Sequence, residues 1–239
     1  DRGQKWYEGN FPDSDKARSY RMIGEFTPSY MAYAHAARDI SKLMPDAKII
    51  VSLRNPVDRT YSEYTGYSKT HRQKLSFDQF VAEHPKAITR SLYFDQTRRL
   101  LDFFPRDRIL FLRFEDFVKD NRSLLQTLAD FLGVNEGGFN LAAARSTNSS
   151  YRPRYPALFA TLVSTQRALE HRGVHGLLPL AHKLGIRRLF APKGGSEDSS
   201  ARLPSLPYER RRELYDVFAK DIVALEGLLG ESFAEWQAP

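Results

Sequence analysis

Arg54 and Ser62 stand eight residues apart in KIIVSLRNPVDRTYSEY, the stretch from Lys48 to Tyr64. The arginine ends an apolar run and is followed at once by Asn55 and Pro56. A guanidinium is a planar fork that matches the oxygens of a phosphate. Asn55 suits the cap of a helix and Pro56 its first position. Such a helix start offers free backbone N–H groups and the positive end of its dipole. The stretch therefore predicts an anion site with Arg54 as its main anchor. Ser62 falls roughly two turns into the helix, where its hydroxyl adds a donor. A plainer use of the same residues is open: Arg54 pairs with Asp58, and Ser62 faces a neighbouring helix.

These residues need elements to hold them. KIIVSL (48–53) is a continuous apolar run rich in β-branched residues, the pattern of a buried parallel strand. RILFLRFED (108–116) predicts a second strand, and RMIGEF (21–26) a short one. Helices are predicted for MAYAHAARDISKLMP, with Met31, Ala34, Ile40 and Leu43 on its apolar face, and for SFDQFVAE and SLYFDQTRRLLDFFP. NRSLLQTLADFLGV is a further helix closed by Gly133, and ALFATLVSTQRALEHRG another. A long amphipathic helix is predicted from Tyr208 to Trp236, with Leu214, Phe218, Ile222, Leu225 and Leu229 as its stripe and Trp236 anchoring its end. Strands alternating with helices predict an α/β fold, a parallel sheet flanked by helices. No repeat or linker divides the 239 residues, so a single domain over 1–239 is expected.

Composition narrows the chemistry. The chain has no cysteine, which excludes disulfides, thiolate metal sites and cysteine nucleophiles. Lys plus Arg number 36 against 29 Asp plus Glu, a net charge of +7. That balance favours anionic partners such as nucleotides, sulfated or phosphorylated groups, or polyanions. No apolar run reaches the roughly 18 residues of a membrane span, and DRGQKWYEGNFP at the start is not a signal peptide. TNSSYRPRYP places Arg152 and Arg154 around Pro153, a stiffened basic loop suited to phosphate or sulfate. Its alternative is a solvated loop.

RNPVDRTYSEY resembles the 3′-phosphate-binding motif of sulfotransferases that use PAPS, 3′-phosphoadenosine 5′-phosphosulfate: an arginine ending a strand, an Asn-Pro, and a serine eight residues after the arginine. KWYEGNFP with IGEFTPSY is similar to the family's WY…FP…EKTPSY segment. The stretch from Tyr93 to Val134 resembles its Y…FP…IL…YEDL…FLG segment, and the C-terminal helix resembles that of bacterial members. The likeness runs in order over nearly the whole chain, and is similar to the heparan-sulfate-type branch. It implies a P-loop-NTPase-like sulfotransferase fold and sulfuryl transfer from PAPS, leaving PAP, to a hydroxyl or amine acceptor on a carbohydrate, lipid, peptide or carrier. It implies no metal, nucleic acid or membrane insertion. It implies that Arg54 and Ser62 hold the 3′-phosphate and that Asn148, Arg152 and Arg154 lie in a loop closing over the nucleotide. Glu25, Thr27 and Tyr30 would face the acceptor, Trp6 and Tyr7 would wall that cleft, and Glu25 is the candidate base.

The sequence departs from the pattern twice. Phe26 stands where the family has a lysine that contacts the sulfuryl group. The PKxGTTSL-type phosphosulfate loop and the strand before it are expected upstream of Asp1, so that residues 1–239 alone are expected to be inactive. The internal echo APKGGSEDSS, with Lys193 and Ser196, carries Glu197 and Asp198 where an anion would be repelled, and is read as a loop. The expectation is a bacterial, cytoplasmic enzyme, or a Golgi-lumenal one if the chain is eukaryotic and an anchor lies upstream. Two other classes stay open: a non-catalytic PAP- or nucleotide-binding module, and a polyanion- or nucleic-acid-binding domain, whose binding would weaken steeply with salt.

Overall fold

The computed structural model describes residues 7–71, 75–135 and 205–237, with Gly137 and Thr161. Two compact units are defined. One takes in Asp1–Thr60, His84–Arg145 and Pro207–Pro239, the other Tyr61–Glu83 and Ser146–Leu206.

The first unit is built on two parallel strands, β1 (Ile49–Leu53) and β2 (Ile109–Arg113), in register from Ile49 opposite Ile109 to Leu53 opposite Arg113. Around them, in chain order, are α1 (Ala36–Leu43), the start of α2 (Pro56–Thr70), α4 (Lys86–Thr89), α5 (Phe94–Phe103), α6 (Phe114–Lys119), α7 (Asn121–Leu132) and α8 (Tyr208–Leu229). α3 (Phe77–Glu83) belongs to the second unit. The helix-rich arrangement with a small parallel sheet agrees with the predicted α/β class.

β1 is one-sided. Val51 and Leu53 are buried, whereas Ile50 on the opposite face is 41% exposed. Period-two geometry separates the faces of any strand, and an unbroken apolar run cannot say which face is covered. RMIGEF forms no strand; Met22, Ile23 and Phe26 are all exposed. Its apolar residues find no ladder partner among the described residues, and strand propensity without one does not hold a strand. The helix predicted over residues 31–45 is split. A 3-10 turn over Tyr30–Ala32 ends in extended backbone at Tyr33, and α1 begins at Ala36. α1 buries Ala36 and Ala37 and leaves Leu43 exposed, so the predicted stripe is displaced. RILFLRFED is strand only to Arg113; Phe114, Glu115 and Asp116 open α6.

α8 keeps its predicted face but stops at Leu229, short of the predicted end at Trp236, because Gly230 takes the left-handed conformation. Leu214, Phe218, Ile222 and Leu225 are each no more than 4% exposed, spaced for one side of a helix. Gly230 at φ 68° closes it in the left-handed conformation that glycine adopts without a Cβ penalty, as Gly133 at φ 71° closes α7. Beyond Gly230, Phe233 and Trp236 stack at 4.3 Å between ring centroids, both buried. Glu226 holds this tail, accepting from the Phe233 amide at 2.6 Å and from Gln237 Nε2 at 3.1 Å.

In the second unit Tyr64 is the centre of an aromatic cluster with Tyr61, Phe77 and Phe80, at ring separations of 5.4 to 5.6 Å. Its hydroxyl donates to the Leu75 carbonyl at 3.1 Å. α3 opens with a reciprocal cap. The Ser76 hydroxyl accepts from the Gln79 amide, and Gln79 Oε1 accepts from the Ser76 amide.

Candidate nucleotide site at the end of the first strand

The register explains where Arg54 lies. Leu53 faces Arg113, so the next residues, Arg54 and Phe114, leave the two strands side by side. The Arg54 guanidinium sits over the Phe114 ring, 4.8 Å from its centroid. A ring face attracts the cation and orients its plane, while the N–H edges stay open to an acceptor. Among the described residues no carboxylate pairs with Arg54. Asp58, the alternative partner in the sequence, is bound instead by Arg211 of α8.

The helix start does not behave as expected. The Asn55 side chain accepts from the amides of Val57 at 3.0 Å and Asp58 at 3.3 Å. Pro56 has no N–H, and the Asn55 amide donates to Glu115 Oε1 at 2.8 Å. The first donors of α2 are therefore consumed within the protein. Capping and anion binding compete for the same N–H groups, and here the cap and the Glu115 carboxylate have taken them. What remains for an anion is the Arg54 side chain and the helix dipole.

The peptide between Arg54 and Asn55 is held at both edges. The Tyr93 hydroxyl donates to the Arg54 carbonyl at 2.9 Å, while Glu115 takes the N–H on the other side. Tyr93 is itself fixed by α8. Asp221 accepts from the Tyr93 amide at 2.6 Å and from the Phe94 amide at 3.2 Å, capping α5 from a distant helix. Burial pushes the Asp221 carboxyl up, and those two N–H donors pull it back. The second oxygen of Glu115 accepts from Trp236 Nε1 at 3.3 Å. A cavity of about 310 Å³ opens beside this turn, lined by Asn55, Asp58, Glu115, Lys119, Arg211 and Glu235, with Trp236 as its wall. The signal for Glu115 was present in RFED directly after the second strand, but nothing local marks which atom it meets.

The segment expected to face an acceptor forms a second cluster. Tyr7 and Tyr30 lie close enough to Glu25 for its carboxylate to push both phenols up, and the Tyr30 amide donates to the Thr27 carbonyl at 3.3 Å. Phe26 is 87% exposed and brings no charge. Ser62 is exposed on α2 within the second unit. Trp6, Asn148, Arg152, Arg154 and the Lys193–Ser196 stretch lie outside the described residues.

The tyrosines of the two clusters carry a testable signature. Burial, and then the charge of Glu25, pushes Tyr7 up to about 12. Burial pushes Tyr93 up to about 12, against the pull of Arg59 and Arg54. A phenol that stays protonated in the fold but ionises at about 10 when unfolded costs stability as pH rises through that window. Of the 12 tyrosines, Tyr7 and Tyr93 are expected to ionise late in an absorbance titration, and stability to fall between about pH 10 and about 12. Tyr93→Phe should remove one late step. An unchanged titration curve in that variant would contradict the placement of Tyr93.

The sulfotransferase domain model matches residues 33–174. The chain belongs to the sulfotransferase family. It is 32% identical over 142 residues to the mouse protein heparan sulfate glucosamine 3-O-sulfotransferase 6, a match covering 56% of this chain and 41% of that one. It is 22% identical to the membrane-associated sulfotransferase kil1 of Dictyostelium discoideum, covering 56% of this chain and 47% of that protein. The chain spans less than half the length of these curated relatives. The crystal structure of a sulfotransferase from Alicyclobacillus acidocaldarius superposes with a TM-score of 0.66 at 24% identity, over 99% of this chain and 75% of that one, and so shares the fold. Among the described residues no helix is long and apolar enough to cross a membrane, and no group of three His, Cys, Asp or Glu is arranged to hold a metal ion.

Proposed function

We propose that this sulfotransferase-family chain is one domain of a P-loop-NTPase-like fold that transfers a sulfuryl group from PAPS to a hydroxyl or amine acceptor, with Arg54 as the main grip on the nucleotide's 3′-phosphate. The observation that carries the reading is the Arg54 side chain itself. It lies at the carboxyl end of a parallel strand, where open α/β sheets bind ligands, it is oriented by Phe114, and it has no carboxylate partner among the described residues. PAPS, when bound, supplies the sulfuryl group and departs as PAP. Ser62 adds a hydroxyl donor to the same phosphate, and Asn148, Arg152 and Arg154 supply the closing loop.

On the acceptor side Glu25 takes the proton as the acceptor attacks. A carboxylate has about four acceptor positions. Glu25 lies beside the Tyr7 and Tyr30 phenols and keeps acceptor capacity for an incoming hydroxyl or amine. Thr27 holds Tyr30, and Trp6 walls the cleft. The mouse relative is named for a sugar hydroxyl, the 3-O position of a glucosamine in heparan sulfate. A carbohydrate hydroxyl is accordingly the first acceptor class to test.

Calorimetry of the whole chain with PAP and with AMP tests the nucleotide half. PAP is expected to bind at least about tenfold more tightly, because a charge-assisted phosphate contact is worth about 1.5–3 kcal/mol. Equal affinities would reject the 3′-phosphate assignment. Transfer of labelled sulfate from PAPS to hydroxyl and amine acceptors tests the chemistry, and PAP binding without any transfer would favour a binding-only module. Steep loss of PAP affinity with salt would favour a diffuse polyanion surface instead.

A further inference from the structure

The Arg54–Asn55 peptide is the point from which the Arg54 side chain is aimed. Its carbonyl is held by Tyr93 and its N–H by Glu115. Fixing both edges of one planar unit prevents its rotation, and so sets the backbone angles on either side of it. Those angles decide where the guanidinium points. The holders are tied to each other through the C-terminal tail: Trp236 donates from Nε1 to the far oxygen of Glu115, and its ring lies 6.1 Å from that of Tyr93. Trp236 is 1% exposed, so the tail that carries it is a packed part of the unit.

We propose that Glu115, oriented by Trp236, is a positioning residue for the phosphate grip, and that the C-terminal turn Ala234–Trp236 thereby sets nucleotide affinity without touching the nucleotide. The proposal rests on the assignment of Arg54 to the 3′-phosphate. Glu115 uses one oxygen on the peptide and the other on the indole. A neutral amide offers a single acceptor oxygen, so Glu115→Gln leaves one of two N–H donors facing an NH₂ group. The strand-end peptide then loses a fixed edge, and Arg54 must be ordered by the ligand at its own entropic cost. Trp236→Phe removes only the N–H donor and keeps most of the packing, so its effect has the same sign and a smaller size.

A double-substitution cycle on PAP affinity, read by calorimetry with folding checked by circular dichroism, separates positioning from general stability. Wild type, Arg54→Ala, Glu115→Gln and the double variant form the cycle, with Trp236→Phe in place of Glu115→Gln if that variant does not fold. Glu115→Gln is expected to weaken PAP binding about fivefold to thirtyfold in the presence of Arg54. In the Arg54→Ala background it should have less than about a twofold effect, because a residue that acts through Arg54 has nothing left to aim. Independent, multiplying losses in the double variant would overturn the proposal and leave Glu115 a structural residue. A Glu115→Gln protein that binds PAP as wild type does would also overturn it. An Arg54→Ala protein with unchanged PAP affinity would instead reject the underlying phosphate assignment.

Discussion

Arg54→Ala is expected to weaken PAP binding by about tenfold to 150-fold, about 1.5–3 kcal/mol, in a protein that stays folded. The size follows from how little else in the turn can bind an anion. Asn55, Val57 and Asp58 have already committed their N–H groups to Glu115 and to the Asn55 side chain. Arg211 is engaged with Asp58. Among the described residues of the turn, a phosphate at this strand end would therefore depend chiefly on the guanidinium. Lysine at position 54 should recover only part of the affinity. It keeps the charge but loses the two-pronged geometry and the guanidinium's placement over the Phe114 ring. Ser62→Ala should cost less than Arg54→Ala, since a neutral hydroxyl contact contributes about 0.5–1.5 kcal/mol. Adenosine 5′-phosphosulfate, which lacks the 3′-phosphate, should bind the Arg54→Ala protein as it binds the wild type. Calorimetry on the purified variants reads all of these, and equal PAP affinity with and without Arg54 would remove the assignment.

Phe218→Ala should lower unfolding free energy by about 3–5 kcal/mol, the range for truncating a buried phenylalanine. Phe218 is fully buried at the middle of the α8 stripe, between Leu214 and Ile222. An alanine there leaves a cavity that rigid neighbours close only in part. The loss matters beyond stability because α8 carries Arg211 and Asp221, the partners of Asp58 and of the Tyr93 amide. Urea denaturation followed by circular dichroism measures it. A change under about 1 kcal/mol would show that α8 contributes little to the core. Val217 is the matched control: it is 53% exposed, off the buried stripe, and its replacement by alanine should stay within about 0.5 kcal/mol.

Much of this was written locally in the chain. The two strands, the α8 stripe and the closing glycine at 133 are set by periodicity and by backbone freedom, which act over a few residues. The same local rules misjudged RMIGEF, where strand residues had no ladder partner, and the helix over residues 31–45, which breaks at Tyr33. Exposure of Ile50 was hidden too, since an unbroken apolar run looks alike whether one face is covered or both.

The sequence by itself determined that a cation ends the first strand and that an Asn-Pro helix start follows it. It could not decide what the N–H groups of that start would bind. Cap, carboxylate and phosphate are all acceptors, and each satisfies the same donors. Tertiary structure decided it by bringing Glu115 to the Asn55 amide across 60 residues and Trp236 to Glu115 across 121. Those partners are chosen by strand register and by the packing of α8, which depend on contacts summed over the whole unit and not on any window of the chain. The backbone N–H groups of this turn are thereby used within the protein, and the proposed anion grip falls to one side chain, Arg54.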